Sequence, residues 1–228
     1  AESEVVHVND LIDGRKKMLD YQIMAIPGGF AYGDDTGAGN ALANRIKNNL
    51  REDVLKFAQG DKLMIGICNG CQMLANLGVA PALEEKYGER QVALMHNKTA
   101  RYECRWVHLK NQSQKCIWTR NIDIIHLPIA HGEGNFYTDP DTLAEMKKGD
   151  QIAFRYVNED GSIAAGQFPA NPNGAMEDIA AFCDTSGRIM AIMPHPERFN
   201  CFTNEDGWTK EKERLLREGK ELPDKGAG

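Results

Sequence analysis

No apolar run in this 228-residue sequence approaches the roughly 20 residues that span a bilayer. Its polar start, AESEVVHVND, has neither the basic n-region nor the apolar core of a signal peptide. No membrane is expected, and the chain reads as cytoplasmic. Basic charge is also short: 27 Lys and Arg against 33 Asp and Glu leave a net charge of −6, which gives no electrostatic reason to expect nucleic acid. The partner should be a protein or a small molecule. Cysteine is sparse, six residues in all, and the chain is long enough to bury a core without disulfide staples. Only Cys68 and Cys71 have C-x-x-C spacing; with no second pair and no matching histidines, no metal site is expected. Repeats and low-complexity linkers are missing as well, so residues 1–228 read as one domain.

Short apolar runs followed by glycine or proline recur at Val5 to Val8, Gln22 to Ile26, Leu63 to Ile67, Ile122 to Ile125 and Ile189 to Met193. Such runs suit strands buried on both faces. Between the second and third, Leu42, Ile46, Leu50, Val54 and Leu55 repeat at helical spacing within Gly37 to Phe57, a crossover helix that makes its flanking strands parallel. From about Val92 to Phe168 the runs alternate without long helices between them, as in Tyr102 to Leu109 and Ile152 to Val157, which predicts antiparallel strands. The sheet should be mixed. Trp208 to Leu222, dense in both charges, reads as a solvated terminal helix.

The run KLMIGICNGCQMLANLG puts Cys68 between a buried strand and a helix, with Gly66 and Gly70 two residues to either side. G-x-C-x-G is the thiol counterpart of the nucleophile elbow, where a strained turn leaves little room beside the nucleophile. The helix N-terminus is expected to lower the thiol's pKa, because thiolate is the attacking species. Two other readings stay open here: an inert cysteine in a tight turn, or a redox pair with Cys71.

Of six histidines, His131 in PIAHGEGNF and His195 in IMAIMPHPERF are followed at plus two by a carboxylate. A carboxylate on one ring nitrogen fixes the tautomer that lets the other take a thiol proton. His195 is the better base, because a clean strand precedes it and Pro194 and Pro196 stiffen its turn. His131 reads either as an ordinary polar loop residue or as a residue at the site rim or on a partner surface. In MAIPGGFAYGDD, Gly28 and Gly29 follow a strand where free backbone N–H groups could stabilise an oxyanion, with the N–H of Asn69 as companion. The alternative is a plain turn. A phosphate loop is excluded, since no Lys-Ser/Thr follows and Asp34 and Asp35 would repel the ligand.

Taken together, PGGFAYGDD, GICNGCQML, PIAHGEG, NPNGAMEDIAAF and MPHPERF closely resemble the class I (triad) glutamine amidotransferases. Within that family they most resemble the glutaminase component of phosphoribosylformylglycinamidine synthase. The likeness runs from about Val5 to Phe199. It implies an open α/β sheet, mostly parallel but mixed, with helices on both faces. It also implies that Cys68, His195 and Glu197 form the triad, that Gly29 and Asn69 supply the oxyanion donors, and that Gln72 contacts L-glutamine. By the same resemblance Cys68 takes an acyl group from glutamine and frees ammonia. An ATP-dependent synthase, carrying ATP and Mg, would use that ammonia to make formylglycinamidine ribonucleotide in purine synthesis, and no cofactor is expected on this chain. The family begins with a further strand and helix that would precede AESEVVHVND. A glutaminase of the GMP or CTP synthetase type is the alternative, disfavoured by FAYGDD and HGEG. A non-catalytic interaction subunit of the same fold is disfavoured by the intact Cys68, His195 and Glu197.

Overall fold

The computed structural model describes residues 2–228. The chain opens with α1 (Val8–Ile12), β1 (Ile23–Ile26), α2 (Asn40–Gln59), β2 (Leu63–Ile67), α3 (Asn69–Leu77) and β3 (Ala93–Met95). It continues through β4 (Glu103–Asn111), β5 (Ile124–His131), β6 (Asn135–Tyr137) and α4 (Pro140–Lys148). It ends with β7 (Ile152–Val157), β8 (Ile179–Cys183), β9 (Ile189–Ile192) and α5 (Trp208–Arg217). Seven strands form one sheet in the order β1-β2-β9-β8-β7-β4-β5, while β3 and β6 pair separately.

Helix α2 packs Ala43, Ile46, Leu50, Val54 and Phe57 into the core, one apolar residue per turn or so, and this face returns the chain to run β2 parallel to β1. Strand β9 joins β2 on its other side, also parallel. The remaining pairings, β9-β8, β8-β7, β7-β4 and β4-β5, are antiparallel. The sheet is thus mixed, with its parallel part confined to the three strands whose carboxyl ends carry the site. Strands β8 and β9 are buried along their whole length, which is why they read as unbroken apolar runs.

One expected strand is absent. Val5 is fully exposed and Val8 begins a helix instead, with His7 Nδ1 accepting the Asn9 N–H at 3.1 Å. Three apolar residues in a run of four cannot fix a period, and Asn9 and Asp10 directly after them favour a helix start. The run at Ile122 extends further than expected, as β5, down to His131. Pro128 is tolerated in that strand because β5 is the last of the sheet: opposite Trp106 of β4, its missing N–H deprives no neighbour of a bond. Helix α5 is largely exposed, with Leu215 buried and Leu216 open to solvent. Among the described residues no helix is long and apolar enough to cross a membrane.

Candidate active site

Cys68 stands between β2 and α3 with φ +52° and ψ −104°, a backbone conformation that L-residues rarely adopt and that costs about 1–3 kcal/mol. The flanking glycines let the turn exist. A Cβ on Gly66 would come within 2.5 Å of the Gly70 carbonyl oxygen, and one on Gly70 would overlap the Ile26 carbonyl oxygen of β1. The elbow is therefore seated directly on two strands. Cys71, one turn into α3, is wholly buried, and all six cysteines are free thiols. It occupies a packing position.

His195 follows β9 and is 2% exposed. Its N–H donates to the Pro128 carbonyl of β5 at 2.8 Å, and its Nδ1 meets Glu197 Oε1 at 2.5 Å. The carboxylate can only accept, so Nδ1 carries the proton and Nε2 presents a lone pair. That Nε2 is buried and has no hydrogen-bond partner. Burial pushes the Glu197 carboxyl up, but the hydrogen bond and charge of His195, its own backbone N–H and the charge of Arg198 together outweigh this and the net shift is downward. Gly28 locates the thiol and the ring relative to one another: a Cβ placed on it would lie 2.7 Å from His195 Cε1 and 3.2 Å from Cys68 Cβ. The two residues are therefore within about 6 Å of each other across the glycine. The Cys68 sulfur does not bond to the ring. It points to the Ala130 carbonyl of β5 at 3.7 Å.

The thiol departs from expectation. Burial pushes the Cys68 pKa up to about 11, although the N–H groups of Asn69 and Gly29 and the charge of Arg198 pull it down. The helix terminus is present, but losing water around the sulfur costs the anion more than one end of a nine-residue helix returns. Those two amides are the pair expected as oxyanion donors, and both bear on the same sulfur.

Gln72 is buried, and its side-chain amide is taken up by the protein: Nε2 donates to the Glu133 carbonyl at 2.6 Å, and Oε1 accepts from Asn69 Nδ2 at 2.9 Å. It also lines a polar cavity of about 350 Å³ with Asp34, Asp35, Asn76, His96 and Glu133. Asp34 Oδ1 accepts from Asn69 Nδ2 at 3.2 Å and from the Gly39 N–H at 3.3 Å, so this cavity adjoins the elbow. Sequence reading missed Asp34 and Glu133 as site residues, although both lie in the quoted FAYGDD and HGEG segments. His131, expected at the rim or on a partner surface, is 1% exposed and presents nothing to a partner. It ends β5 beneath the site, and burial, with His195 nearby, holds its pKa down at about 4.

A thiol on a strained elbow, an imidazole held by a carboxylate and two converging amides define a cysteine-dependent acyl-transfer centre. The matching family model is the CobB/CobQ-like glutamine amidotransferase domain, over residues 1–223. A phosphoribosylformylglycinamidine synthase subunit PurQ from Methanococcus maripaludis is 52% identical over 98% of this chain and 82% of its own. One from Dehalococcoides mccartyi is 41% identical over 92% and 80%. Among solved structures, that of PurLQS from Thermotoga maritima superposes with a TM-score of 0.63 at 27% identity, covering 88% of this chain and 81% of that one. The chain belongs to the CobB/CobQ-like glutamine amidotransferase family, in the group of phosphoribosylformylglycinamidine synthase PurQ subunits.

Proposed function

We propose that the chain hydrolyses L-glutamine to glutamate and ammonia and delivers the ammonia to an ATP-dependent synthase making formylglycinamidine ribonucleotide. The observation that carries this is the placement of Cys68 and His195 on either side of Gly28, in a chain 52% identical to a PurQ subunit. With glutamine bound, the thiol turns from the Ala130 carbonyl to the open Nε2 of His195, which takes its proton. The sulfur attacks the side-chain amide carbon, and the resulting oxyanion is met by the N–H groups of Gly29 and Asn69. The imidazolium then returns the proton to the departing nitrogen, so ammonia leaves and a Cys68 thioester remains. Water, deprotonated by His195, releases glutamate and restores the thiol.

A thiol with a pKa near 11 is protonated in the resting site, so the proton must move to His195 as attack begins. Glu197 supports that step by stabilising the imidazolium through Nδ1. The carboxylates of Asp34, Asp35 and Glu133 around the adjoining cavity suit the α-ammonium of an amino acid. On this reading ATP and Mg belong to the synthase, the glutaminase chain needs no cofactor, and both act in the cytoplasm. The test is Cys68→Ala in the assembled complex. Glutamine-dependent product should vanish while added ammonia still supports synthesis; unchanged release of ammonia from glutamine would refute the reading.

A further inference from the structure

Two histidine Nε2 atoms are buried here without a hydrogen-bond partner, one on His195 and one on His131. The first is the base of the proposed reaction, and the second has no part in it so far. What fixes the His131 ring is Asn97, itself 2% exposed. Asn97 Nδ2 donates to the carbonyls of His131 at 2.8 Å and Arg101 at 2.9 Å, which settles which end of the amide is oxygen. Its Oδ1 then accepts from the Gly134 N–H at 3.0 Å and faces His131 Nδ1 at 3.2 Å. An acceptor at Nδ1 fixes a ring proton there, and Nε2, buried with no acceptor of its own, is left as a bare lone pair. Gly134 closes over the imidazole, since a Cβ on it would overlap the ring. Ring position and tautomer are both set.

The charges around this ring are committed elsewhere. Glu103, directly across on β4, is held by Arg105 and Thr99. Glu133, in the same loop, accepts from the Ala38 N–H and faces His96. The turn after β9 brings His195, whose charge bears on the His131 ring. A proton on His131 Nε2 would add a second positive charge beside the imidazolium that His195 must become, and like charges in a dry site oppose one another strongly.

We propose that His131 is a positioning residue for glutamine hydrolysis: an imidazole held in place by Asn97 and kept uncharged by an Nε2 buried without an acceptor, so that the imidazolium of His195 forms with no second histidine cation beside it. The inference rests on the reading of Cys68 as nucleophile and His195 as base. The test substitutes Asn97→Asp in the glutaminase–synthase complex, which puts a carboxylate against Nδ1 and favours the charged form of His131. Below about pH 6, kcat for glutamine should fall relative to the unaltered complex, with KM changed less than about threefold. The acid limb of the kcat profile should move upward by about one pH unit, because each tenfold of added bias toward the cation is one unit. His131→Gln, which cannot ionise, should leave the position of that limb where it is in the unaltered complex. A purely structural role would lower activity equally at every pH, and an unmoved acid limb in folded Asn97→Asp overturns the proposal. Should that variant not fold, 15N spectra of the unaltered chain decide: a neutral His131 with its proton on Nδ1 down to about pH 5 supports the proposal, and a proton on Nε2 at pH 6 overturns it. Survival of glutamine hydrolysis in Cys68→Ala would instead remove the underlying reading, so the two failures are distinguishable.

Discussion

Gly28 and His195 are packed so closely that a methyl group on the glycine would stand 2.7 Å from the ring's Cε1. The same methyl would press on Cys68 Cβ at 3.2 Å, so alanine here forces the proposed base and nucleophile apart. A misplacement of about 1 Å at a reacting pair can cost about a hundredfold in rate. Gly28→Ala should therefore lower glutamine-dependent turnover in the complex about a hundredfold while ammonia-dependent synthesis continues. Near-normal turnover would show that the ring has room to yield.

Among the described residues Glu197 is the only partner of His195 Nδ1, and that bond sets which nitrogen presents a lone pair. In Glu197→Gln the side-chain amide can offer its NH2 group to Nδ1, favouring the tautomer with the proton on Nε2, where it blocks transfer from sulfur. We expect kcat to drop by ~100-fold or more, with a smaller change in KM. Steady-state kinetics in the complex checks this, and a loss confined to KM would contradict it.

The raised Cys68 pKa has consequences in the chain without substrate. Thiolate should be scarce at neutral pH, so iodoacetamide should modify the exposed Cys104 and Cys201 first. The rate at Cys68 should climb about tenfold per pH unit from 7 to 10, as peptide mass mapping would follow; a plateau below pH 9 would contradict the shift. Folding stability changes in the same window. A folded pKa of about 11 against 9.0 means the unfolded chain gives up the proton first, so stability held below pH 9 is lost as pH rises through 11. Between those values Cys68→Ala should lose less melting temperature than the unaltered chain.

Gln72 joins Asn69 to the carbonyl of Glu133. Gln72→Leu keeps the volume but takes the donor from the Glu133 carbonyl and leaves Asn69 Nδ2 with Asp34 alone, which costs about 1–3 kcal/mol. With the Glu133 loop released, KM for glutamine should rise more than tenfold. Thermal denaturation and steady-state kinetics read the two effects separately, and an unchanged KM would show that the loop does not need this tether.

The elbow was legible because its constraints are local: Gly66, Cys68 and Gly70 fall within five residues, and each glycine answers to an atom of the turn or of β1. The His195–Glu197 pair was legible for the same reason, being two residues apart. Asn97 was invisible, since its work is done on His131 and Gly134, which lie more than 30 residues away, and a lone asparagine in a loop carries no pattern. His131 was misplaced because an apolar run marks a strand but not how deeply its last residue is covered. The direction of the Cys68 shift was missed because the cost of desolvation depends on walls contributed by β1, β5 and β9, none of which borders residue 68 in sequence. Val5 to Val8 failed for the opposite reason: its apolar side chains satisfied a strand pattern, yet in the structure they form no strand and Val5 faces solvent.

Pro128 and Ala130 turn their carbonyls away from β4 toward the backbone of His195 and the sulfur of Cys68. The far margin of the sheet thus folds round to latch both Cys68 and His195. Deleting a single residue between Ile124 and Pro128 would exchange the two sides of the strand and unfasten the latch, leaving Cys68 and His195 present and neither held by β5.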